Sequence, residues 1–186
     1  ALLFLAAGSV IHAVHSNLIK DMGGLRKYMP ITNITFLIAA LAISGIPPFA
    51  GFFSKDEILA AAFENSTLLF VVEWVVAGIT AFYMFRIYFG IFWGKEGTYK
   101  HTPHESPLSM TIPLLFLALM SIIAGFIPFG EFVTPNKTGF EAHLNYPLAT
   151  IAVGVGLTGI ILAWLFYKKE NNLAETYATK FGILYK

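Results

Sequence analysis

The sequence predicts an all-α fold: a polytopic transmembrane helical bundle in which one helix is broken. Three observations carry that prediction. Hydrophobic residues make up 56% of the 186 and charged residues only 12%, whereas a soluble domain is nearer half apolar and a quarter charged. With a strongly positive mean hydropathy, the chain has too little polar surface to cover its apolar surface, so lipid must act as its solvent. Long apolar stretches alternate with short polar connections rich in turn formers, such as 21–30 and 94–107. Finally, Lys and Arg fall almost entirely on every second connection, the asymmetry that membrane insertion imposes.

Taken in order, the first segment is 1–14. A spanning helix needs about 20 residues, so the sequence is expected to be truncated at its N-terminus. No basic stretch precedes this run as it would in a signal peptide. The second segment covers 31–65 and as one helix would be about 50 Å long, against a hydrocarbon core of about 30 Å. The run Gly45-Ile46-Pro47-Pro48-Phe49-Ala50-Gly51 interrupts it, because prolines remove backbone donors and glycine admits conformations other residues resist. Two half-helices are expected, over 31–46 and 54–65. Ser54 and Glu57 have capping-box spacing, and Phe53 with Ile58 suit a hydrophobic staple, so the second half-helix is expected to start near Ser54.

The third, fourth and fifth segments are expected over 68–93, 108–128 and 147–167. A tail at 168–186 completes a single membrane domain, 1–186, with no room for a soluble domain between spans. Gly154, Gly156 and Gly159, with Ala152, offer a smooth strip for helix packing. We call the face reached after the first segment the basic face and the other the far face. Lys20, Arg26, Lys27, Lys95, Lys100, Lys168, Lys169, Lys180 and Lys186 fall on the basic face. Lys137 falls on the far face, among Glu64, Glu131 and Glu141. The basic face is therefore expected to be cytoplasmic. Trp93 and Trp164 near that face and Trp74 near the far one suit the headgroup level.

Composition also excludes function classes. The net charge of +1 gives no basic surface for nucleic acid, and the chain has no Cys to ligate an iron–sulfur cluster. Redox chemistry is expected elsewhere, with no cofactor in this chain. His101 and His104 lack a third ligand nearby, so no metal site is expected.

Discontinuous helices at membrane depth are tolerated where the exposed backbone is buried in protein or lines a wet cavity, and transporters place ion sites there. Lys55 follows the break directly. A cation in the first turn of a helix is opposed by the dipole, and at membrane depth it costs about 2.5–3.5 kcal/mol on the insertion scale. Capping does not ask for it. Burial disfavours its charge while the adjacent carboxylates favour it, a balance that lets a group load and release a proton. Lys55 is thus the leading proton-relay residue. On these local grounds Asp56 and Glu57 are lesser candidates, since carboxylates near a helix N-terminus are favoured whatever the function. His12 and His15, at the basic end of the first segment, are lesser candidates as well. Glu73 could line an exit path, but is expected rather to wet its head at the far interface, and Arg86 to snorkel to the basic one.

The strings Ala1-Leu2-Leu3-Phe4-Leu5-Ala6-Ala7-Gly8-Ser9-Val10-Ile11-His12, Met22-Gly23-Gly24-Leu25-Arg26-Lys27 and Gly51-Phe52-Phe53-Ser54-Lys55-Asp56-Glu57-Ile58-Leu59 together resemble the L-type (NuoL) antiporter-like subunits of bacterial respiratory complex I, NADH:quinone oxidoreductase. The third string is the most specific. The resemblance is dense to about Lys95 and rests on hydropathy and spacing after Leu108; the stretch from His15 to Asp21 departs from it. It implies that the chain is a fragment from the C-terminal part of such a subunit, beginning just after the family's central channel lysine. It implies that Lys55, followed by Asp56, is the terminal element of a proton path opening to the outside. The tail, including 174–186, would lead toward a lateral helix on the cytoplasmic face. The implied partners are other complex I membrane subunits, the lipid bilayer and protons, in a bacterial cytoplasmic (inner) membrane. Quinone reduction elsewhere in the complex would drive the translocation. An Mrp-type cation/proton antiporter subunit shares the fold, and a non-transporting membrane scaffold is a second alternative, against which Lys55 beside a Pro-Pro break argues.

Overall fold

In the computed structural model, residues 1–97, 99, 101–127 and 146–168 are described. Six α-helices carry the fold: α1 (Leu2–Val14), α2 (Pro30–Ser44), α3 (Ala50–Asn65), α4 (Thr67–Phe92), α5 (Leu108–Ile123) and α6 (Tyr146–Tyr167), with no strand among the described residues. α4, α6 and α5 with its 3-10 extension to Phe126 are each long and apolar enough to cross a membrane. α2 and α3 are the two pieces of the interrupted apolar stretch. The expectations for Glu131, Lys137, Glu141, residue 128, Lys100 and the tail 169–186 lie outside the described residues.

The break forms as expected, and its chemistry is local. Gly45 adopts φ 74°, a left-handed conformation open to glycine. Its N–H donates to the Ala42 carbonyl at 3.0 Å, while the Ile46 N–H reaches back to Leu41 O at 3.2 Å. Those two bonds make a Schellman stop that satisfies the last carbonyls of α2. Pro47 and Pro48 follow, joined by a cis peptide bond.

The second half-helix begins earlier than the capping pattern predicts. Phe49, not Ser54, is the residue at its N-terminal boundary. Ser54 lies one turn inside α3, its hydroxyl directed to the Ala50 carbonyl at 3.5 Å, so neither the capping box nor the Phe53–Ile58 staple forms. The reason is tertiary. A Cβ placed on Gly51 would sit 1.9 Å from the Ala42 carbonyl oxygen, so the first turn of α3 lies directly on the last turn of α2, a fit available to glycine alone. The Phe53 ring instead stacks edge-on with Phe126, 5.3 Å between centroids, past the end of α5.

α4 and α6 approach through small residues: a Cβ on Gly159 would meet Gly78 O at 2.6 Å. Gly156 faces the break, where a Cβ would lie 3.3 Å from Ser44 O. Gly154, expected in the same strip, has no neighbour within 4 Å and faces outward. Packing of this kind replaces the hydrophobic drive that lipid cannot supply.

At the basic end, polar groups tie the connections together. The Glu105 carboxylate accepts the Ile31 N–H at 2.8 Å, the Thr32 N–H at 3.2 Å and the Thr32 hydroxyl at 2.5 Å. It thereby caps α2 from 73 and 74 residues away, satisfying donors a helix start leaves open. The Gly24 N–H donates to Trp93 O at 3.0 Å, and the Tyr99 hydroxyl donates to Gly23 O. Lys27 pairs with Glu96 at 2.9 Å. Arg26 and Lys168 lie over the Trp93 ring at 4.0 and 4.9 Å from its centroid. Arg26, Lys27 and Lys168, three of the cations assigned to one face from the sequence, thus lie together at one end of the bundle.

Candidate proton-relay site

α3 carries the site, and the break sets its depth. Lys55 stands five residues after Ala50, about 7 Å along the helix. It therefore sits in the second turn and not the first, where the dipole's opposition has largely faded. Its stem packs on the break itself: a Cβ on Gly45 would lie 2.7 Å from Lys55 Cδ. The glycine that ends α2 thereby makes room for the lysine of α3.

The Lys55 ammonium nitrogen is buried and has no hydrogen-bond partner. Pairing with the adjacent Asp56 or Glu57, the structural alternative for this residue, is absent among the described contacts. Asp56 is 4% exposed, and its Oδ1 is likewise buried without a partner. Of the buried polar side-chain atoms lacking a partner among the described residues, only these two belong to ionisable groups. Such groups are costly unless something compensates them. Glu57 is exposed and does not join them.

The cavity beside Lys55 is shared with α4. Lys55, Ile58 and Leu59 of α3 enclose, with Glu73, Val76 and Thr80 of α4, a cavity of about 130 Å³. Glu73 is the carboxylate that shares this lining with the Lys55 side chain. Of the two expectations for Glu73, lining a path is the one this geometry favours: it lines the lysine's cavity, at its exposed side. The spacing between 55 and 73 crosses a turn between helices, and no single-helix period relates the two. An acidic residue inside an otherwise apolar span was the available signal.

The remaining candidates lie elsewhere. His12 and His15 meet edge to face, 5.9 Å between ring centroids, at the exposed basic end of α1. His15 ends that helix in a left-handed conformation (φ 58°), its N–H donating to Ile11 O. Arg86 is exposed, with its guanidinium 5.3 Å from the Tyr167 ring centroid, as snorkelling toward the basic end requires. The structure brings Lys55 and Glu73 to one cavity, leaves Asp56, next to Lys55 in the chain, outside that lining, and leaves both histidines apart.

Chemically, the arrangement is a protonatable amine without a fixed hydrogen bond, beside a cavity large enough for several waters at about 30 Å³ each. A fixed partner would lock one protonation state; a group left unbonded beside a cavity can gain and lose its proton.

Residues 1–80 match the family model described as "NADH:quinone oxidoreductase/Mrp antiporter, TM". That stretch holds α1 to α3, Lys55, Asp56 and Glu73. The chain is 43% identical to the NAD(P)H-quinone oxidoreductase chain 5 of Picosynechococcus sp., in an alignment covering 100% of this chain and 34% of that protein. It is 39% identical to the chain 5 protein of Synechocystis sp., over 100% of this chain and 36% of the relative. It is 40% identical to the chloroplastic subunit 5 of Chaetosphaeridium globosum, over 92% of this chain and 30% of the relative. The chain spans about a third of the length of the curated relatives it matches.

Proposed function

We propose that this chain is part of a proton-translocating, antiporter-like membrane subunit, of the L or chain 5 type, in a respiratory-type NADH:quinone oxidoreductase. Quinone reduction elsewhere in the complex drives the translocation, and Lys55 with Asp56 relays the proton. The carrying observation is the buried, unpartnered Lys55 ammonium beside a wet-sized cavity at a helix break. A scaffold gains nothing from burying a cation at membrane depth. The similarity to quinone oxidoreductase chain 5 proteins supports this reading over a stand-alone Mrp-type antiporter, which shares the matched family description.

The chain itself performs no redox step. It binds no cofactor, its partners are the complex's other membrane subunits and lipid, and its substrate is the proton. We place the subunit in an energy-transducing membrane with the basic face toward the cytoplasm or its organellar equivalent. A bacterial cytoplasmic membrane is one such setting; the matched relatives come from cyanobacteria and chloroplasts.

The test is Lys55→Ala in the full-length protein within its assembled complex, reconstituted in vesicles. Protons moved per electron should fall several-fold while assembly is retained. An unchanged ratio in a fully assembled variant returns Lys55 to a structural role and removes the reading.

A further inference from the structure

We infer that Glu73 is the next group in the relay, exchanging a proton with Lys55 across the cavity that α3 and α4 enclose. This rests on the proposed translocating function and adds a residue to it. Three observations of geometry carry it. Both side chains line the same cavity of about 130 Å³. Among the described residues Glu73 makes no hydrogen bond or salt bridge that would fix it, and the Lys55 nitrogen is also without a partner. Their heights along the bundle differ as a relay requires: Glu73 is six residues from the far end of α4, about 9 Å, and Lys55 is ten residues from the far end of α3, about 15 Å. Glu73 therefore stands between Lys55 and the far face, on the exposed side of the cavity.

The exchange is balanced in atoms and in charge. An N–H bond of the Lys55 ammonium breaks and an O–H bond forms on the Glu73 carboxylate, directly or through water in the cavity. The pair is ammonium with carboxylate before the step and amine with carboxylic acid after it, so its net charge is zero in both states. No isolated charge appears at membrane depth, which is what makes proton movement through an apolar layer feasible. Glu73 then loses its proton toward the far face, and Lys55 is reloaded from inside the bundle. Without a carboxylate here, discharge of Lys55 would have to place the proton on water in an apolar cavity.

The experiment uses the full-length protein in its assembled complex in vesicles, with protons moved per electron as the readout. Glu73→Gln keeps shape and removes the exchange; Glu73→Met, an apolar side chain suited to an exposed membrane site, keeps the test readable if the amide assembles poorly. Both should lower the ratio by the same fold as Lys55→Ala measured alongside. Adding Val76→Glu to Glu73→Gln returns a carboxylate to the same cavity wall and should restore most of the ratio, which a structural role for Glu73 would not do. If Lys55→Ala lowers the ratio and an assembled Glu73 variant pumps as wild type, the inference falls and the function stands. A carboxylate at 76 that restores nothing also overturns it. A wild-type ratio in Lys55→Ala overturns the function itself.

Discussion

The basic end of the bundle and the level of the helix break treat polar groups in opposite ways. At the basic end, Glu105 accepts from three backbone amides and a hydroxyl, Tyr99 reaches Gly23, and Lys27 holds Glu96. At the break, Lys55 and Asp56 are buried with atoms left unbonded, and Glu73 waits across a cavity. Polar groups at the first level are consumed in holding connections together. Those at the second are kept available. A group that must change its protonation state in each cycle cannot also be a permanent hydrogen-bond partner, so the lack of bonds at the break reads as function and the abundance at the basic end as architecture.

The sharpest way to break that contrast is Lys55→Arg. Arginine keeps the positive charge and resembles lysine in length, but it does not release its proton. If the break needs a group that cycles, Lys55→Arg should assemble and yet lower protons moved per electron several-fold, as far as Lys55→Ala does. Wild-type pumping in the arginine variant would mean that only a fixed charge is wanted there.

Gly51→Ala probes the frame that keeps those groups available. Its new methyl would lie 1.9 Å from Ala42 O, against backbone that cannot step aside. The overpacking should cost at least about 1–3 kcal/mol and shift the start of α3, and Lys55 with it. Reduced thermal stability together with reduced assembly of the complex is the expected outcome. An alanine variant indistinguishable from wild type in both would show that α3 is not seated on α2.

These two residues also mark how far the sequence was legible. The broken segment, its glycines and prolines, and the placing of Arg26, Lys27 and Lys168 at one end all follow from composition and local rules, because each depends on neighbours in the chain. The start of α3 did not. Ser54 and Glu57 satisfy a local capping pattern, and the contact that overrides it, Gly51 on Ala42, joins two helices across the break. That Glu73 shares a cavity with Lys55 was not legible for the same reason: what it faces is decided by how α3 and α4 turn toward each other, and apolar spans in lipid carry little polar-against-apolar periodicity to report it. Glu105 went unnoticed because a helix cap supplied from over 70 residues away has no local spacing to recognise.

Glu105→Ala tests the structural side of the contrast. It removes the acceptor for two amides and the hydroxyl at the start of α2, and unpaired donors of this kind cost about 1–3 kcal/mol. The variant should melt earlier, yet the fraction that assembles should move protons per electron at the wild-type ratio. A stable Glu105→Ala protein with a lowered ratio would place proton chemistry at the basic end and dissolve the distinction between the two levels.

The smallest effect is expected at Lys27 and Glu96. The pair closes at 2.9 Å and holds the Glu96 carboxyl below the ordinary glutamate range, first through the lysine hydrogen bond and then through its charge. The sign follows from that direction. A carboxylate stabilised in the folded state contributes above the ordinary range and loses its contribution as pH falls through the depressed value. Any stabilisation is therefore present at neutral pH and gone in acid. Both groups are exposed, however, and water with salt screens them. Thermal melts of Glu96→Gln and wild type, in detergent, should differ slightly at neutral pH, less at high salt, and not at all at acid pH. A loss as large as that of Glu105→Ala, persisting in acid, would show that Glu96 acts through something other than this ion pair. An unchanged melt at every pH would still leave the Tyr99 and Glu105 bonds as the ties that hold the basic end, which is where the contrast with the break is drawn.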